Sequence, residues 1–150
     1  MGLEKARIIV MKSDGGIEEI PVQFNPDKYS ITTDATMSDK KGVSGGVMNR
    51  PLANCSETLK VSLIFDTFEE KVSVRKYTNK LAKLVNSYRK PNESESTPNC
   101  KFVWGRFIFK GYVNNITQNF TMFLTDGKPV RANVDITIKS DVAIEPEKED

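Results

Sequence analysis

The side chains that could perform catalysis are few in this chain of 150 residues, because the sequence contains no histidine. Without an imidazole, neither a Ser-His nor a Cys-His nucleophile pair can form, and His-ligated zinc is excluded as well. The cysteines, Cys55 and Cys100, lie far apart in the sequence and do not match the clustered ligands that structural zinc requires. Catalysis would therefore have to come from carboxylates, lysines or a glycine-rich loop.

The carboxylate pairs and the glycine-rich stretch lack the context that catalysis requires. Glu18-Glu19 would point to opposite faces of a strand, and Glu69-Glu70 would lie in the first turn of a helix, where acids interact favourably with the helix dipole. The glycines of residues 42–46 lead into Val47 and Met48 rather than into the Gly-Lys-Ser/Thr of a phosphate-binding loop. We therefore predict no catalytic residues, no cofactor and no metal site, and a protein that is not an enzyme.

The charges are distributed unevenly along the chain. Residues 141–150 hold five acids and one base, whereas the first 140 residues carry 21 bases against 15 acids. Lys76, Lys80 and Lys83 fall opposite the apolar positions of a predicted helix, where they form either a solvated face or a surface for an acidic partner. A small basic β-barrel that binds single-stranded nucleic acid, through this face and through Tyr112 or Phe123 stacking on bases from wet strand faces, is therefore an alternative function.

The elements that must position these residues are mostly strands. Alternating apolar residues and turn signals predict strands over Ala6–Met11, Ile17–Phe24, Tyr29–Thr32, Thr58–Phe65, Lys101–Trp104, Arg106–Val113, Ile116–Leu124 and Val130–Ile138. Apolar residues at helical spacing predict one helix over about residues 73–89, stopped by Pro91. The predicted fold is mainly β (α+β): an antiparallel β-barrel or sandwich with one flanking α-helix over residues 1–140, followed by an acidic tail over residues 141–150.

Two further features indicate contact with other molecules. The segment from Asp34 to Asn54 loses its periodicity and gains glycines, which predicts a long loop of the kind that is usually functional or mobile. Phe123 falls on the nominally wet face of its strand, opposite Phe120 and Leu124, and an exposed aromatic ring there indicates an interface.

No apolar signal region follows Met1, and no apolar run approaches the roughly 20 residues of a membrane span. We therefore expect synthesis in a reducing cytoplasm with both thiols free.

Three groups of residues occur in a characteristic order along the chain. They are Phe24-Asn25-Pro26 followed by Tyr29, then Phe102 to Gly105 followed by Phe109-Lys110-Gly111, and finally the stretch from Phe120 to Ala132. In this order they resemble the signature of the contractile injection system tube domain, which begins the small baseplate hub proteins of phage tails, R-type bacteriocins and related particles. The join between Phe65–Thr67 and Val74–Thr78 is also similar to that family, so the resemblance covers nearly the whole chain.

The resemblance implies a structural protein with a phage tail-tube-like fold that assembles into a ring, with six copies expected. The implied role is to adapt the central spike to the inner tube and to initiate tube assembly, so the implied partners are the spike or hub protein and an inner tube or tube-initiator protein. Nucleic acid is expected only as cargo in the lumen. An inner tube subunit of the same machine is the alternative. The resemblance also implies synthesis in the bacterial cytoplasm and incorporation into a phage tail, bacteriocin or injection particle.

The residues expected at subunit interfaces come from the 34–54 loop and from the tip of the last hairpin. They are Met37, Val43, Val47, Met48, Arg50, Leu52, Phe123, Asp126, Gly127 and Lys128. Lys76, Lys80 and Lys83 are expected to form a charged partner surface. Relatives commonly continue into a peptidoglycan-binding-type (LysM) module, and we expect this sequence to lack the contacts made through that module.

Overall fold

The structure, a computed structural model, describes residues 4–12, 15–37, 52–85 and 99–140. These residues form one sheet of seven strands and one helix. In chain order the elements are β1 (Arg7–Met11), β2 (Ile17–Pro21), β3 (Tyr29–Met37), β4 (Leu52–Asp66), α1 (Arg75–Ala82), β5 (Asn99–Trp104), β6 (Phe107–Phe123) and β7 (Pro129–Ser140). The spatial order of the strands is β2-β1-β5-β6-β7-β4-β3, and every neighbouring pair is antiparallel. The predicted mainly β fold with one flanking helix is confirmed.

The core lies on one face of the sheet because apolar and polar residues alternate along the long strands. In β7 the inward positions are all buried: Val130, Ala132, Val134, Ile136 and Ile138. The outward positions between them carry polar side chains, as in an antiparallel sheet with one wet face. Helix α1 covers part of this core, and Val74 and Leu81 are fully buried against it.

The sheet curls so that its two outer strands approach the opposite side. The ring of Tyr29, at the start of the edge strand β3, stacks on Phe107 of β6 with a centroid distance of 4.5 Å. On the other edge, Gln23 follows β2 and hydrogen-bonds to the backbone of Asp66 at the end of β4. These contacts join strands that are far apart in the hydrogen-bonding order, which gives the sheet its barrel-like form.

Strand β6 is longer than predicted, because the two strands expected over Arg106–Val113 and Ile116–Leu124 are one continuous strand. The register with β7 shifts between Val113 and Asn115, so Asn114 is an inserted residue with no partner in β7. The insertion lets Val113 and Ile116 both face the core although their positions differ in parity. The change of parity that suggested two strands therefore marks a β-bulge.

The predicted 34–54 loop is wrong at both of its ends, where the chain is β-structure. Strand β3 continues to Met37, and β4 begins at Leu52. The two strands are paired along this whole length, and the last pair is Met37 with Leu52. The β4–β7 pairing begins only at Glu57, opposite Ser140. Residues 52–56 of β4 and their partners in β3 thus form a two-stranded ribbon, which we call the β3–β4 ribbon, beyond the part of β4 that pairs with β7.

Helix α1 is shorter than the predicted helix over residues 73–89. It ends at Ala82, because the N–H groups of Leu84 and Val85 donate to carbonyls three residues back, at 3.0 and 3.2 Å, which is a tighter turn than an α-helix. Helical spacing alone does not distinguish this turn from continued α-helix. At the other end, the hydroxyl of Ser73 accepts the N–H of Arg75 at 3.2 Å, as a residue near a helix start is expected to do.

Candidate assembly interface

The interface residues predicted in the 34–54 segment divide into two groups. Met37 and Leu52 pair with each other at the outer end of the β3–β4 ribbon. Val43, Val47, Met48 and Arg50 lie outside the described residues. The ribbon places the backbone of Met37 and Leu52 beyond the part of β4 that β7 joins, so their position suits a contact with another subunit, and that contact stays a prediction.

The β6–β7 tip, formed by residues 123–129, is a tight hairpin end. Gly127 adopts a left-handed φ of 88° and donates its N–H to the carbonyl of Leu124 at 2.9 Å. The carboxylate of Asp126 accepts the N–H of Lys128 at 2.9 Å, which fixes the turn. Phe123 precedes the turn and is 55% exposed. The local hydrogen bonds therefore hold a large apolar ring in solvent at a rigid end of the sheet.

The three lysines of α1 lie on its exposed face, but they are not equivalent. The ammonium group of Lys76 contacts the carboxylate of Glu70 at 2.7 Å, and this hydrogen bond raises the pKa of Lys76. Lys80 and Lys83 are exposed and form no ion pair within the described part of the chain. The basic face open to a partner is therefore smaller than the sequence suggests, and lies at the end of the helix.

The aromatic side chains expected to stack on nucleic-acid bases are not brought together. Tyr112 is half-buried, and Phe123 lies eleven residues farther along β6, which corresponds to about 36 Å of extended strand. Proteins that bind single strands stack successive bases on neighbouring aromatic rings along a basic groove. Tyr112 and Phe123 do not form such a platform.

Sequence reasoning missed two side-chain amides that fix the segment after β2. The Asn25 amide accepts the N–H of Ala6 at 2.8 Å and donates to the carbonyl of Glu4 at 2.8 Å. The Gln23 amide does the same for Asp66, accepting its N–H at 2.7 Å and donating to its carbonyl at 2.8 Å. A side-chain amide carries one acceptor and two donors, so each can pair with a backbone amide as a strand would. Phe24 lies between the two and is 49% exposed.

A cleft of about 380 Å³ opens beside Phe24. Besides Gln23, it is lined by Phe24, Asp66, Phe68, Glu69, Glu70 and Arg131. Among these residues, Arg131 contacts the carboxylate of Asp66 through Nη2 at 2.9 Å and Nε at 3.0 Å. The N–H of Phe68 also donates to Asp66, at 2.9 Å, and this backbone hydrogen bond, followed by Arg131, lowers the pKa of Asp66. The lining of the cleft thus combines the Asp66–Arg131 ion pair with two aromatic rings and two further acids.

The described residues contain no group of three or more Cys, Asp or Glu side chains placed to hold a metal ion. Burial raises the pKa of the Cys100 thiol to about 11, so this thiol is a core side chain and not an activated nucleophile. No helix in the described ranges has the length and apolar character needed to cross a membrane.

A family model described as contractile injection system tube protein matches residues 2–149 of the chain. The chain belongs to this family. One similar solved structure is the tail of an empty GTA particle with C6 symmetry, at 14% identity with a TM-score of 0.47, covering 91% of each chain. Another is the virion of a native gene transfer agent particle, at 14% identity with a TM-score of 0.45, covering 91% of this chain and 92% of that chain. No curated protein matches this member of the family.

Proposed function

We propose that this chain is a ring-forming structural subunit at the junction of baseplate hub and inner tube in a contractile tail. It adapts the central spike to the inner tube and initiates tube assembly. The observation that carries the proposal is membership of the contractile injection system tube protein family over nearly the whole chain. The exposed rings and the ribbon support it because they supply the contact surfaces that such a ring requires.

The positions of two of these surfaces suit stacking and ring formation. The pairing of β4 with β7 begins where the β3–β4 ribbon ends, with Glu57 opposite Ser140. It ends near the β6–β7 tip, with Asp66 opposite Arg131. These nine residue steps correspond to about 30 Å of strand, so ribbon and tip lie at opposite ends of the same pair of strands. The ribbon itself is suited to a neighbour within the ring, and the exposed ring of Phe123 at the tip is suited to the next component along the tail axis.

An inner tube subunit is the second candidate, because the family description names the tube itself. The two roles differ in polymerisation. A hub adaptor forms a single ring and nucleates a separate tube protein, whereas a tube subunit polymerises without limit. The test is to incubate the purified chain alone, with the spike protein, and with the tube protein of the same particle, and to examine each mixture by negative-stain electron microscopy and sedimentation.

The hub role predicts single rings that bind the spike and that shorten the lag of tube growth at substoichiometric amounts. Long tubes formed by the chain alone would overturn the hub role in favour of the tube subunit. A chain that stays monomeric in all three mixtures would overturn both roles. Strong binding of a labelled single-stranded oligonucleotide at low salt, lost as salt is raised, would instead support the nucleic-acid alternative.

A further inference from the structure

We propose that the cleft between Phe24 and Phe68 of one copy receives the basic end of helix α1, Lys80 and Lys83, of a second copy. This contact would join subunits within the ring, so the inference rests on the proposed function and names the surfaces that carry it.

The backbone that carries the two aromatic rings of the cleft is fixed by hydrogen bonds. Phe24 is 49% exposed between the Gln23 and Asn25 amides, which pair with backbone groups on either side. Phe68 is 48% exposed, and its N–H is fixed by the carboxylate of Asp66. Because this backbone is already ordered, less conformational entropy is lost when a partner binds, and more of the contact energy appears as affinity.

The charges around the cleft leave one acid available for a cation. Asp66 is paired with Arg131, and Glu70 is paired with Lys76. Glu69 lines the same cleft and forms no ion pair with another described residue. An incoming lysine would therefore find apolar rings for its methylene stem and the carboxylate of Glu69 for its ammonium group.

The same chain presents the complementary surface. Lys80 lies in the last turn of α1 and Lys83 is its C-cap residue, and both are exposed. Lysine side chains are long, place their stems on apolar surfaces, and interact favourably with the faces of aromatic rings. Basic residues at the C-terminal end of a helix also remain compatible with its dipole, so these lysines stabilise α1 while extending from it.

The arrangement on each subunit favours a closed ring. Glu69 precedes α1 and the two lysines end it, so donor and acceptor surfaces lie at opposite ends of the same helix. Two different patches that are complementary to each other make a head-to-tail contact, and such contacts generate rings when the rotation between subunits closes. A charge-complementary pair of patches on one chain is therefore the simplest occupant for this cleft.

The test is a charge-swap experiment on the full chain under the conditions in which the wild type assembles. Glu69→Lys places lysine against lysine between copies, and the double variant Lys80→Glu with Lys83→Glu places acid against acid. Each variant alone should show an association constant at least about tenfold lower than that of the wild type. The two variants mixed in equal amounts should assemble again, because alternating copies restore opposite charges at every contact. The triple variant that carries all three changes should assemble by itself.

Lys60→Glu is the matched control, since Lys60 is exposed on the outer face of β4, away from the cleft. It should assemble as the wild type does, and thermal unfolding of all variants should show that the monomers are folded. Charge variants that assemble normally, or a mixture that fails to recover, would overturn the inference while leaving the proposed ring function in place. A wild-type chain that stays monomeric with its spike and tube partners would overturn both.

A second arm examines the aromatic rings without changing any charge. Phe24→Ser and Phe68→Ser should each lower the association constant at least several-fold, because each removes an exposed ring from the proposed contact. Ile108→Ser is the control, as Ile108 is 46% exposed on β6 and does not line the cleft. Equal association for all three variants would contradict the proposed contact.

Discussion

The side-chain amide of Gln23 pairs with the backbone of Asp66 through two hydrogen bonds, accepting its N–H at 2.7 Å and donating to its carbonyl at 2.8 Å. The two residues are 43 positions apart in sequence. Gln23 lies in the segment that follows β2, and Asp66 is the last residue of β4. The Gln23 side chain thus makes the two backbone hydrogen bonds that a residue of a neighbouring strand would make, at a position where no strand is present. This contact links the two sides of the curled sheet next to the proposed docking cleft.

Replacing Gln23 with Ala should lower the free energy of unfolding by about 2 kcal/mol, because it leaves the N–H and carbonyl of Asp66 without these partners. Urea unfolding followed by circular dichroism measures the change. Asn119→Ala is the matched control, since it also removes an amide but from an exposed position on β6. We expect that control to stay within about 0.5 kcal/mol of the wild type. Equal losses for the two variants would show that the pairing does not stabilise the fold.

Gly111→Ala should be among the most damaging small substitutions in the chain. A Cβ atom at this position would lie 2.1 Å from the carbonyl oxygen of Lys139, which belongs to the backbone of the neighbouring strand. Relieving that overlap requires the two strands to separate, at a cost of about 3 kcal/mol. A Cβ atom at Gly127 would have no neighbouring atom within 4 Å, so the only strain in Gly127→Ala comes from the left-handed φ of 88°. This variant should therefore lower the free energy of unfolding by only about 1–2 kcal/mol. Thermal unfolding of the two variants should rank them in that order.

Phe123→Ser should weaken association with the partner ring or tube while leaving the monomer folded. The ring of Phe123 is 55% exposed, so little core packing is lost when it is removed. Phe109→Ser provides the contrast, because Phe109 is 1% exposed and its loss should cost about 3–5 kcal/mol and unfold much of the protein. Co-sedimentation and thermal unfolding are measured together. Unfolding of the Phe123 variant would mean that this residue contributes to the core.

The ion pair of Asp66 and Arg131 should make the stability depend on acidity. Since the pKa of Asp66 in the folded protein lies below its usual value of 3.8, its contribution is present above that value and is lost as the pH falls through the folded pKa. Asp66→Asn should therefore be less stable than the wild type at neutral pH, and the difference should shrink below about pH 4. Asp135→Asn, at an exposed carboxylate on β7, is the control. A difference that is constant with pH would contradict the assignment.

The two thiols should react very differently with iodoacetamide. Cys100 is fully buried and its pKa is raised to about 11, so it should stay unmodified in the native protein at pH 8. Cys55 is half-buried on the β3–β4 ribbon and should be alkylated. If the ribbon contacts a neighbouring subunit, assembly should slow the alkylation of Cys55, as mass spectrometry of the monomer and the ring would show. An unchanged rate would place the subunit contact elsewhere.

The long strands could be predicted because their burial is a local property of the sequence. In β7 every second residue is apolar, and all of those residues are buried. The same alternation placed Phe123 on the exposed face of β6. A pattern with period two is visible in one strand without knowledge of its neighbours, so the face of each residue can be deduced before the sheet order is known.

The candidate site was less predictable because its contacts join distant parts of the chain. The motif of Phe24, Asn25 and Pro26 could be recognised, but the partners of Gln23 and Asn25 are backbone groups that no sequence pattern identifies. The sequence predicts Glu69 and Glu70 in the first turn of a helix, yet their segment forms a separate turn in which the N–H of Lys71 donates to the carbonyl of Thr67 at 2.9 Å. Local spacing therefore predicted a helix start where the fold builds one wall of a cleft.

The bulge at Asn114 shapes β6 without being required to keep its apolar residues on the core face. It separates an odd-numbered set of inward residues, ending at Val113, from an even-numbered set that begins at Ile116. Deleting Asn114 would leave Val113, Asn115 and Ile116 in regular alternation, so Ile116 and Phe120 would stay on the core face with the same partners in β7. A bulge also bends its strand and increases the local twist, so a β6 that is one residue shorter at this point should be straighter and should curl less around the core.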